Sequence, residues 1–405
     1  MTLTIDAAEL FGVTESSFAL TFTVRDGAGE VDAEAEVRVD GEVRATSGGT
    51  SGTRSVRVEG LEPAAEHRVE IRAGGARAEP DAWFPGKVRT LARPSGSEVA
   101  SFATLNDLHF GEPRFGGAFS GGDWGGPASP EFPEVRAEDT DVPYWKFMND
   151  DAVAEINEAG VDATIIKGDI ADRGLPEQFE AARACFAKLG APHHAFLGNH
   201  DHLGLHAGLE VDGYELLGQP RAPRSVELGG WRLVLLETSR PGEHHGELEE
   251  DRLAWLDGAL SESRDRGAPT LVLMHHHPVP PEFADKYPNQ IGIRPAHSLE
   301  LFELIGRHPH VRAVLIGHTH RNRVRLYPAS GATPFVEVNC TKDYPGGWAH
   351  YRLFDDGSFR QEVRRTASER ALAHSSKCAT FFRGGYRRFS FGRLEERSFG
   401  VEALR

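Results

Sequence analysis

The sequence lacks the long apolar segments that mark membrane proteins and secreted precursors. Its apolar runs, such as residues 233–236 and 271–274, are far shorter than the roughly 20 residues that a membrane-spanning helix requires. Residues 1–6 carry neither the basic region nor the long apolar region of a signal peptide. We therefore expect a cytoplasmic protein with no membrane segment, with an extracellular location as the alternative.

Cysteine is also scarce, and the few cysteines follow no disulfide or metal-binding pattern. The 405 residues include three cysteines, Cys185, Cys340 and Cys378, and no two of them form a Cys-x-x-Cys pair. A small odd number argues against a disulfide framework and against a zinc site built from thiolates. Reduced cysteines agree with the expected cytoplasmic location.

Positive charge is in deficit. Lys and Arg together number 45 against 61 Asp and Glu, which gives a formal net charge of −16. So acidic a chain is a poor general binder of nucleic acid or of anionic membranes. It can still bind a small phosphate ester where metal ions or local cations outweigh the negative electrostatic potential of the chain. The 19 histidines are numerous by contrast, and their positions carry the main signal for function.

Residues 1–92 predict a small all-β sandwich. Apolar and polar residues alternate with period two in several segments, and Asp40-Gly41 between two of them predicts a hairpin with a type I′ turn. No helical period occurs there. Residues 60–69 resemble the Leu-x-Pro-x-x-x-Tyr corner of fibronectin type III domains, with His67 in place of the tyrosine. Residues 92–97 are typical of a linker.

The pattern changes over residues 98–365, where short apolar strands alternate with amphipathic helices. This alternation predicts an α/β domain, and further β segments after residue 320 predict that it is not a pure doubly wound sheet. The predicted strands are residues 99–105, 163–166, 194–197, 231–236, 270–274 and 311–316. The predicted helices are residues 151–159, 176–189, 247–264 and 298–307.

Two segments fit neither pattern. Residues 111–142 are rich in glycine and proline and contain Trp124, and we hypothesise that this long loop gates a pocket. Residues 366–405 form a C-terminal extension that is basic and aromatic. Because the whole chain is acidic, we expect the extension to pack across the domain or a partner subunit rather than to bind nucleic acid. Either the extension or the β-sandwich is a candidate surface for a homo-oligomer.

Five polar clusters directly follow five predicted strands. They are Asp107-Leu108-His109, Gly168-Asp169-Ile170-Ala171-Asp172, Gly198-Asn199-His200-Asp201, His275-His276-His277-Pro278 and Gly317-His318-Thr319-His320. Each cluster alone is more typical of a helix cap, a turn or a surface histidine. Because the carboxyl ends of strands converge on one crevice in open α/β sheets, the five together predict a single site.

The chemistry of these side chains predicts metal ions. Carboxylate, imidazole and amide oxygen suit divalent or trivalent Zn, Mn, Fe or Co. The donors exceed the four that one tetrahedral ion needs, which favours two ions sharing a carboxylate. Two ions roughly 3.5–4 Å apart can clamp the attacking and the leaving oxygen of a phosphoryl displacement, and a metal-bridging hydroxide would be the nucleophile.

The five clusters, in their residue types and their order along the chain, resemble the motifs of the calcineurin-like metallophosphoesterase superfamily over residues 98–365. The resemblance implies a four-layer α/β/β/α sandwich with a dinuclear site. It implies that one ion is held by Asp107, His109 and His320. It implies that the other is held by Asn199, His275 and His318, with Asp169 bridging the two. The register within the histidine triplet favours His275, and His276 stays open as the second choice.

The same resemblance implies roles for residues beside the ligands. His200 matches the family's histidine that is not a ligand but donates a proton to the leaving oxygen or stabilises charge on the phosphoryl group. Asp201 would then fix the tautomer of His200. Asp172 is expected to support the ligands or the fold rather than to bind substrate. His244 and His245 are expected in a surface loop and would touch substrate only if that loop rims the site.

Two departures from one branch of the family argue against a purple acid phosphatase. Purple acid phosphatases carry a tyrosine where this chain has Asp172, and they lack the histidine that this chain has at His109. Residues 246–256 and 270–280 resemble the class III cyclic-nucleotide phosphodiesterases. We therefore predict a phosphodiesterase that acts on a small phosphoester. The alternatives are a phosphomonoesterase or nucleotidase using the same site, and a non-catalytic scaffold that binds through the β-sandwich.

Overall fold

The computed structural model describes residues 2–116, 142–286 and 291–403. Most of the predicted loop at residues 111–142 lies outside these ranges, and so does the gating hypothesis attached to it. Within the described part of the chain, no helix is both long enough and apolar enough to cross a membrane.

The N-terminal region is all β, as predicted. Its strands are β1 Thr4–Val13, β2 Phe18–Asp26, β3 Gly29–Glu30, β4 Ala35–Val39, β5 Glu42–Ser47, β6 Arg54–Val58, β7 Glu66–Ala73, β8 Ala76–Arg77 and β9 Lys87–Arg89. One sheet has the order β1-β2-β3 with β6 also paired to β2, and the other has the order β5-β4-β7-β8 with β9 also paired to β7. Asp40 (φ 53°) and Gly41 (φ 93°) connect β4 to β5, which confirms the predicted hairpin. The relation to fibronectin type III domains stays a prediction.

The remaining strands and helices alternate as the sequence predicts. The strands are β10 Glu98–Leu105, β11 Ala163–Lys167, β12 His193–Phe196, β13 Arg224–Leu228, β14 Trp231–Leu236, β15 Thr270–Met274, β16 Val311–Ile316, β17 Arg323–Arg325, β18 Phe335–Glu337, β19 Gly347–Phe354, β20 Phe359–Arg365 and β21 Ser398–Val401. The helices are α1 Tyr144–Ala159, α2 Pro176–Phe186, α3 Gly213–Leu217, α4 Glu250–Asp265, α5 Pro295–Gly306, α6 Glu369–Ala379, α7 Gly385–Ser390 and α8 Leu394–Arg397. Short 3₁₀ helices cover His200–Ala207, Pro281–Lys286 and Pro328–Ser330.

These strands form two mixed six-stranded sheets. Sheet A has the order β12-β11-β10-β19-β20-β21, and sheet B has the order β13-β14-β15-β16-β18-β17. Strands β10, β11 and β12 run parallel in sheet A, and β14, β15, β16 and β18 run parallel in sheet B. Each sheet therefore presents a row of strand carboxyl ends along one edge.

Alternation along the strands shows that the two sheets pack face to face. In β15, Leu271 and Leu273 join a core that also contains Phe102 and Ile165 of sheet A. The intervening Val272 and Met274 belong to a second core with α4 and α5. The opposite face of sheet A packs against α1 and α2 in the same way. Because neighbouring strand residues point to opposite faces, this pattern confirms the four-layer α/β/β/α sandwich.

The C-terminal extension folds onto its own chain. Strand β21 pairs antiparallel with β20 and becomes the last strand of sheet A. Phe381, Tyr386 and Phe391 of the extension are buried in the core that lies between the sheets. These three aromatic residues therefore serve packing, which is the interpretation that the acidic context favoured, whereas Phe382 and Phe389 are exposed.

Buried ion pairs join the N-terminal sheets to sheet A. Arg57 on β6 donates to Glu362 on β20 at 2.8 Å, and Arg365 donates to Glu9 on β1 at 2.8 Å. Glu362 also accepts from Arg364 at 2.9 Å and is almost fully buried. Burial opposes ionisation of Glu362, but Arg364 and Arg57 hold its pKa below the ordinary value of 4.5. These ion pairs thus hold the N-terminal sheets against sheet A.

We predict that Glu362→Gln destabilises the protein by about 2 kcal/mol at neutral pH, because it removes charge-assisted hydrogen bonds from a buried carboxylate. The depressed pKa adds stability that is complete above the unfolded value of 4.5 and is lost as pH falls through the folded value. The difference from the wild type should therefore stay constant from pH 8 to about 5 and shrink below that. Denaturant unfolding at several pH values measures it.

Glu180→Gln, on the exposed side of α2, is the matched control and should change little at any pH. If the difference in unfolding free energy between the wild type and Glu362→Gln grows on acidification, the assigned ion pair is contradicted.

Candidate metal centre

All five polar clusters meet at the edge where the parallel strands of both sheets end. Asp107 and His109 follow β10, Asp169 follows β11, and Asn199 follows β12 in sheet A. The sheet B residues follow in the same way, with His275 after β15 and with His318 and His320 after β16. Ligand atoms of Asp107, His109 and His320 lie within 4.8 Å of one another, and so do those of Asp107, Asp169 and His275. Tertiary structure thus brings all seven predicted ligands together.

The backbone at this edge is held in an uncommon conformation. Five of the seven predicted ligands have positive φ, namely Asp107 (53°), His109 (43°), Asp169 (49°), His318 (65°) and His320 (50°). For residues other than glycine this left-handed region costs free energy and persists only where the surroundings enforce it. Here the strained positions follow β10, β11 and β16.

Two glycines make room for the buried carboxylate at the centre. A Cβ on Gly198 would lie 2.3 Å from Oδ1 of Asp169 and 2.8 Å from Nε2 of His275. Gly168 has a φ of 83°, and a Cβ there would lie 2.7 Å from Nδ1 of His275. Both glycines are therefore required by the close approach of backbone to the predicted ligands.

The first group of donors surrounds Asp107, which is fully buried. Its Oδ1 lies 3.4 Å from Nε2 of His320. Its Oδ2 accepts hydrogen bonds from the Asn106 side chain at 2.5 Å and from the backbone N–H of His318 at 2.9 Å. One oxygen is thus held by the protein, and the other faces the histidines. That division suits a carboxylate that binds an ion through a single oxygen.

The second group of donors surrounds His275. Its Nδ1 lies 2.8 Å from the carbonyl of Lys167, which can only accept, so Nδ1 carries the proton. Its Nε2 then offers a lone pair, 3.2 Å from both Asn199 Oδ1 and Asp169 Oδ1. With Nε2 deprotonated, these three potential donor atoms face one another and suit a coordination site, for which a proton on Nε2 competes.

His276 also approaches this group. Its ligand atom lies within 4.8 Å of those of His275 and His318. Unlike His275, it is fixed by Thr238, whose hydroxyl lies 2.9 Å from Nδ1 and accepts from the backbone N–H of His276 at 3.2 Å. His275 contacts the central Asp169 directly, and in the described hydrogen bonds and ion pairs His276 does not. The geometry therefore favours His275 as the ligand, and His276 is the second choice.

His200 stands at the border of the site, partly exposed. Its backbone N–H donates to Asp169 at 2.9 Å, and its ring lies 4.5 Å from that of His109, centroid to centroid. Its Nδ1 lies 2.8 Å from the carbonyl of Asp172 and must donate to it. This contact corrects the expected role of Asp201, because the group that sets the tautomer of His200 is the Asp172 carbonyl.

Asp201 instead braces the loops. Its two carboxylate oxygens accept from the backbone N–H groups of Ala171 at 2.7 Å and Gly198 at 2.8 Å. Burial and the neighbouring Asp169 raise the pKa of Asp201 to about 6. The Asp172 carboxylate lies 3.3 Å from Nδ1 of His109 and orients that ring from behind, as a supporting residue.

The electrostatics of the site fit bound cations. Burial opposes ionisation of Asp107, but His320 and His275 lower its pKa to about 2. Burial likewise opposes protonation of His275, but Asp169 raises its pKa to about 9. Nε2 of His109, both ring nitrogens of His318 and Oδ1 of Asp107 are buried with no hydrogen-bond partner among the described residues. Protons and metal ions compete for such atoms, and the donor set fits metal ions.

Sequence reasoning missed one polar segment at the same edge. Asp343 and Lys342 follow β18, are buried, and pair at 3.2 Å. Asp343 lies 3.4 Å from Nδ1 of His320. Side-chain donor atoms of Asp343, Cys340 and His320 all lie within 4.8 Å of one another. The signal was present, because further β segments were predicted after residue 320 and Asn339 to Asp343 follow one of them, β18, as a polar run. It was overlooked because these residues have no place in the five clusters.

The other histidines of interest lie beside the site. The ring of His244 is 6.2 Å from that of His200, and His245 is buried with Nε2 3.0 Å from the guanidinium of Arg294. His202 lies 3.4 Å from Glu237, and His206 contacts the carbonyl of Gly242 at 2.8 Å. The ring of His244 therefore lies close to that of the predicted proton donor.

Comparison with known proteins identifies the family. A family model for calcineurin-like phosphoesterases matches residues 101–322, which include all seven predicted ligands and more than half of the chain. The chain belongs to this family. It is therefore a metallophosphoesterase, and the family implies a dinuclear metal site.

Several proteins that are similar to this chain are named as phosphodiesterases. The chain is 32% identical over 222 residues to the 3′,5′-cyclic adenosine monophosphate phosphodiesterase CpdA of Pseudomonas aeruginosa, covering 51% of this chain and 75% of that protein. It is 31% identical over 218 residues to a 3′,5′-cyclic-nucleotide phosphodiesterase of Nostoc sp., covering 51% and 77%. It is 31% identical over 183 residues to the glycerophosphodiester phosphodiesterase GpdQ of Enterobacter lignolyticus, covering 44% and 64%. This metallophosphoesterase is thus related to cyclic nucleotide phosphodiesterases.

We predict that Gly198→Ala abolishes metal binding by the metallophosphoesterase, because the new methyl group would displace Asp169 from the centre of the site. Metal content after reconstitution with Mn²⁺, measured by elemental analysis, should fall from two ions per chain to near zero.

Gly258→Ala in α4 is the matched control, since a Cβ there meets nothing within 4 Å. It should bind two ions and gain slightly in stability. Two ions bound by Gly198→Ala would contradict the placement of Asp169 between the donor groups.

Proposed function

We propose that this protein hydrolyses small phosphodiesters, with cyclic nucleotides as the first candidates, at a site that holds two metal ions. The observation that carries the proposal is the convergence of carboxylate, amide and imidazole donors around buried Asp169. Asp169 contacts both groups, lying 3.8 Å from Nε2 of His109 and 3.2 Å from Nε2 of His275.

Each donor group has the residues to hold one ion. Asp107, His109 and His320 would hold the first, and Asn199, His275 and His318 would hold the second, with Asp169 between them. The mixture of oxygen and imidazole nitrogen favours Mn, Fe, Zn or Co. When bound, two such ions would polarise the phosphoryl oxygens and lower the pKa of an attacking water.

His200 is placed to serve the leaving group. Its Nδ1–H is committed to the Asp172 carbonyl, so only Nε2 can exchange a proton with substrate. His200 is partly exposed, whereas the predicted ligand His109 beside it is buried. A proton on Nε2 can be given to the leaving oxygen or can stabilise charge on the phosphoryl group.

The substrate class rests on what the relatives share. The named relatives of this chain act on cyclic nucleotides or on glycerophosphodiesters, and both are small phosphodiesters. A net charge of −16 disfavours long polyanions such as nucleic acids. A non-catalytic scaffold is disfavoured because none of the metal donors is missing and His200 is present.

We predict that metal-free protein reconstituted with Mn²⁺ hydrolyses bis(p-nitrophenyl) phosphate in preference to p-nitrophenyl phosphate. His200→Ala should lower kcat for the diester by about 100-fold or more, because it removes the proton donor, while two ions stay bound. Steady-state kinetics and metal analysis check both statements.

His206→Ala is the control, since this exposed histidine bonds only to the Gly242 carbonyl in the described hydrogen bonds. Preference for the monoester would move the function to a phosphomonoesterase. Absence of turnover with either probe or with cyclic AMP, with two ions bound, would reject the proposal.

A matched pair of variants separates the two adjacent histidines. We predict that His275→Ala loses one bound ion and nearly all turnover, because its Nε2 faces Asp169 and Asn199. His276→Ala should keep both ions and lose much less activity, because in the described contacts His275 and not His276 pairs with Asp169 and Asn199. Metal stoichiometry decides, and the opposite result would transfer the ligand role to His276.

A further inference from the structure

The outer support of the metal site includes a carboxylate that the family motifs do not contain. Asp343 is fully buried, and its Oδ2 lies 3.4 Å from Nδ1 of His320. On its other side, the Nε2 of His320 faces Asp107 at 3.4 Å. A carboxylate behind the ring favours the tautomer with a proton on Nδ1, which leaves the Nε2 lone pair for an ion.

The orientation of Asp343 depends on the C-terminal extension. Tyr386 on α7 donates to Oδ1 of Asp343 at 2.7 Å, and the thiol of Cys340 lies 2.7 Å from the same oxygen. Lys342 pairs with Oδ2 at 3.2 Å. Since Oδ2 faces His320, the hydrogen bonds to Oδ1 set the angle at which the carboxylate meets the imidazole.

Packing locates the Tyr386 hydroxyl. The ring of Tyr386 lies 5.4 Å from that of Phe115 and 6.2 Å from that of Phe381. The residue is buried, although α7 also carries exposed Phe389. The extension thus delivers one buried hydroxyl to a point two hydrogen-bonded steps from the predicted ligand.

The extension also holds the chain just beyond His320. The backbone N–H of Asn322 donates to the carbonyl of Ser390 at 3.0 Å, and the Asn322 side chain donates to the carbonyl of Phe391 at 3.2 Å. A Cβ on Gly392 would lie 2.3 Å from the Asn322 carbonyl, so the two segments touch closely. The loop that carries His318 and His320 is therefore braced from the side of the extension.

We propose that Tyr386 is a positioning residue of the metal site, acting through Asp343 on His320, so that the C-terminal extension completes the site that holds the first ion. The inference rests on the proposed function for the identity of the ligands. Its consequence is that the extension, which lies outside the matched family region of residues 101–322, sets metal affinity.

The test measures metal binding without turnover. Metal-free full-length protein is titrated with Mn²⁺ in a calorimeter. The wild type should bind two ions, and Tyr386→Phe should weaken one of them by about 10-fold or more while leaving the other unchanged. Asp343→Asn should weaken the same ion. Tyr386→Phe in the Asp343→Asn background should add little further loss, because the hydroxyl acts only through that carboxylate.

Tyr344→Phe is the matched control. It removes a buried tyrosine hydroxyl that donates to a carboxylate at 2.7 Å, but that carboxylate is Glu9 on β1, which pairs with Arg387 of α7 and has no described hydrogen bond or ion pair with Asp343 or His320. The control should lose stability to a similar degree and keep both Mn²⁺ affinities. Asp343→Asn probes the same link if Tyr386→Phe does not fold.

Unchanged Mn²⁺ affinity in Tyr386→Phe, equal losses in Tyr386→Phe and Tyr344→Phe, or full additivity with Asp343→Asn would each overturn the inference. Failure of the proposed function gives a different result. In that case the wild type binds two ions and the variants differ as expected, but no phosphodiester is hydrolysed.

Discussion

The structure depends on keeping several carboxylates buried at the edge where two sheets end. Asp107, Asp169 and Asp343 are all essentially inaccessible, and burying a charge is costly unless partners compensate it. The partners are histidines, Lys342 and backbone N–H groups that come from both sheets. The same edge holds five ligand positions with positive φ, and the close approach of Asp169 leaves Gly198 no room for a side chain.

The rest of the fold holds this edge in place. The face-to-face core fixes the two rows of strand ends relative to each other, and the helices outside each sheet bury the opposite faces. The N-terminal sheets are tied to sheet A through Glu362 and Glu9. The extension adds the last strand of sheet A and reaches Asp343 through Tyr386. Segments far apart in sequence thus share the support of one site.

Local pattern was sufficient for most of the fold and for locating the five polar clusters. Period two and period 3.6 located the strands and helices, and the polar residues after the strands indicated where the ions would bind, because strand ends must converge. The role expected for Asp201 was wrong. A carboxylate next to His200 in sequence turned out to accept backbone N–H groups, while a carbonyl reached the ring. Adjacency in sequence does not fix which group a side chain faces.

The sequence by itself determined the α/β architecture, because short-range spacing records it, and its resemblance to the metallophosphoesterase family implied the seven candidate ligands and His200. Only the tertiary structure decided that His275 rather than His276 faces Asp169, that Asp172 sets the tautomer of His200, and that Tyr386 reaches Asp343. These contacts join residues that lie 28, 43 and 106 positions apart in the sequence. Their partners are selected by the packing of whole sheets, and no local period records that selection.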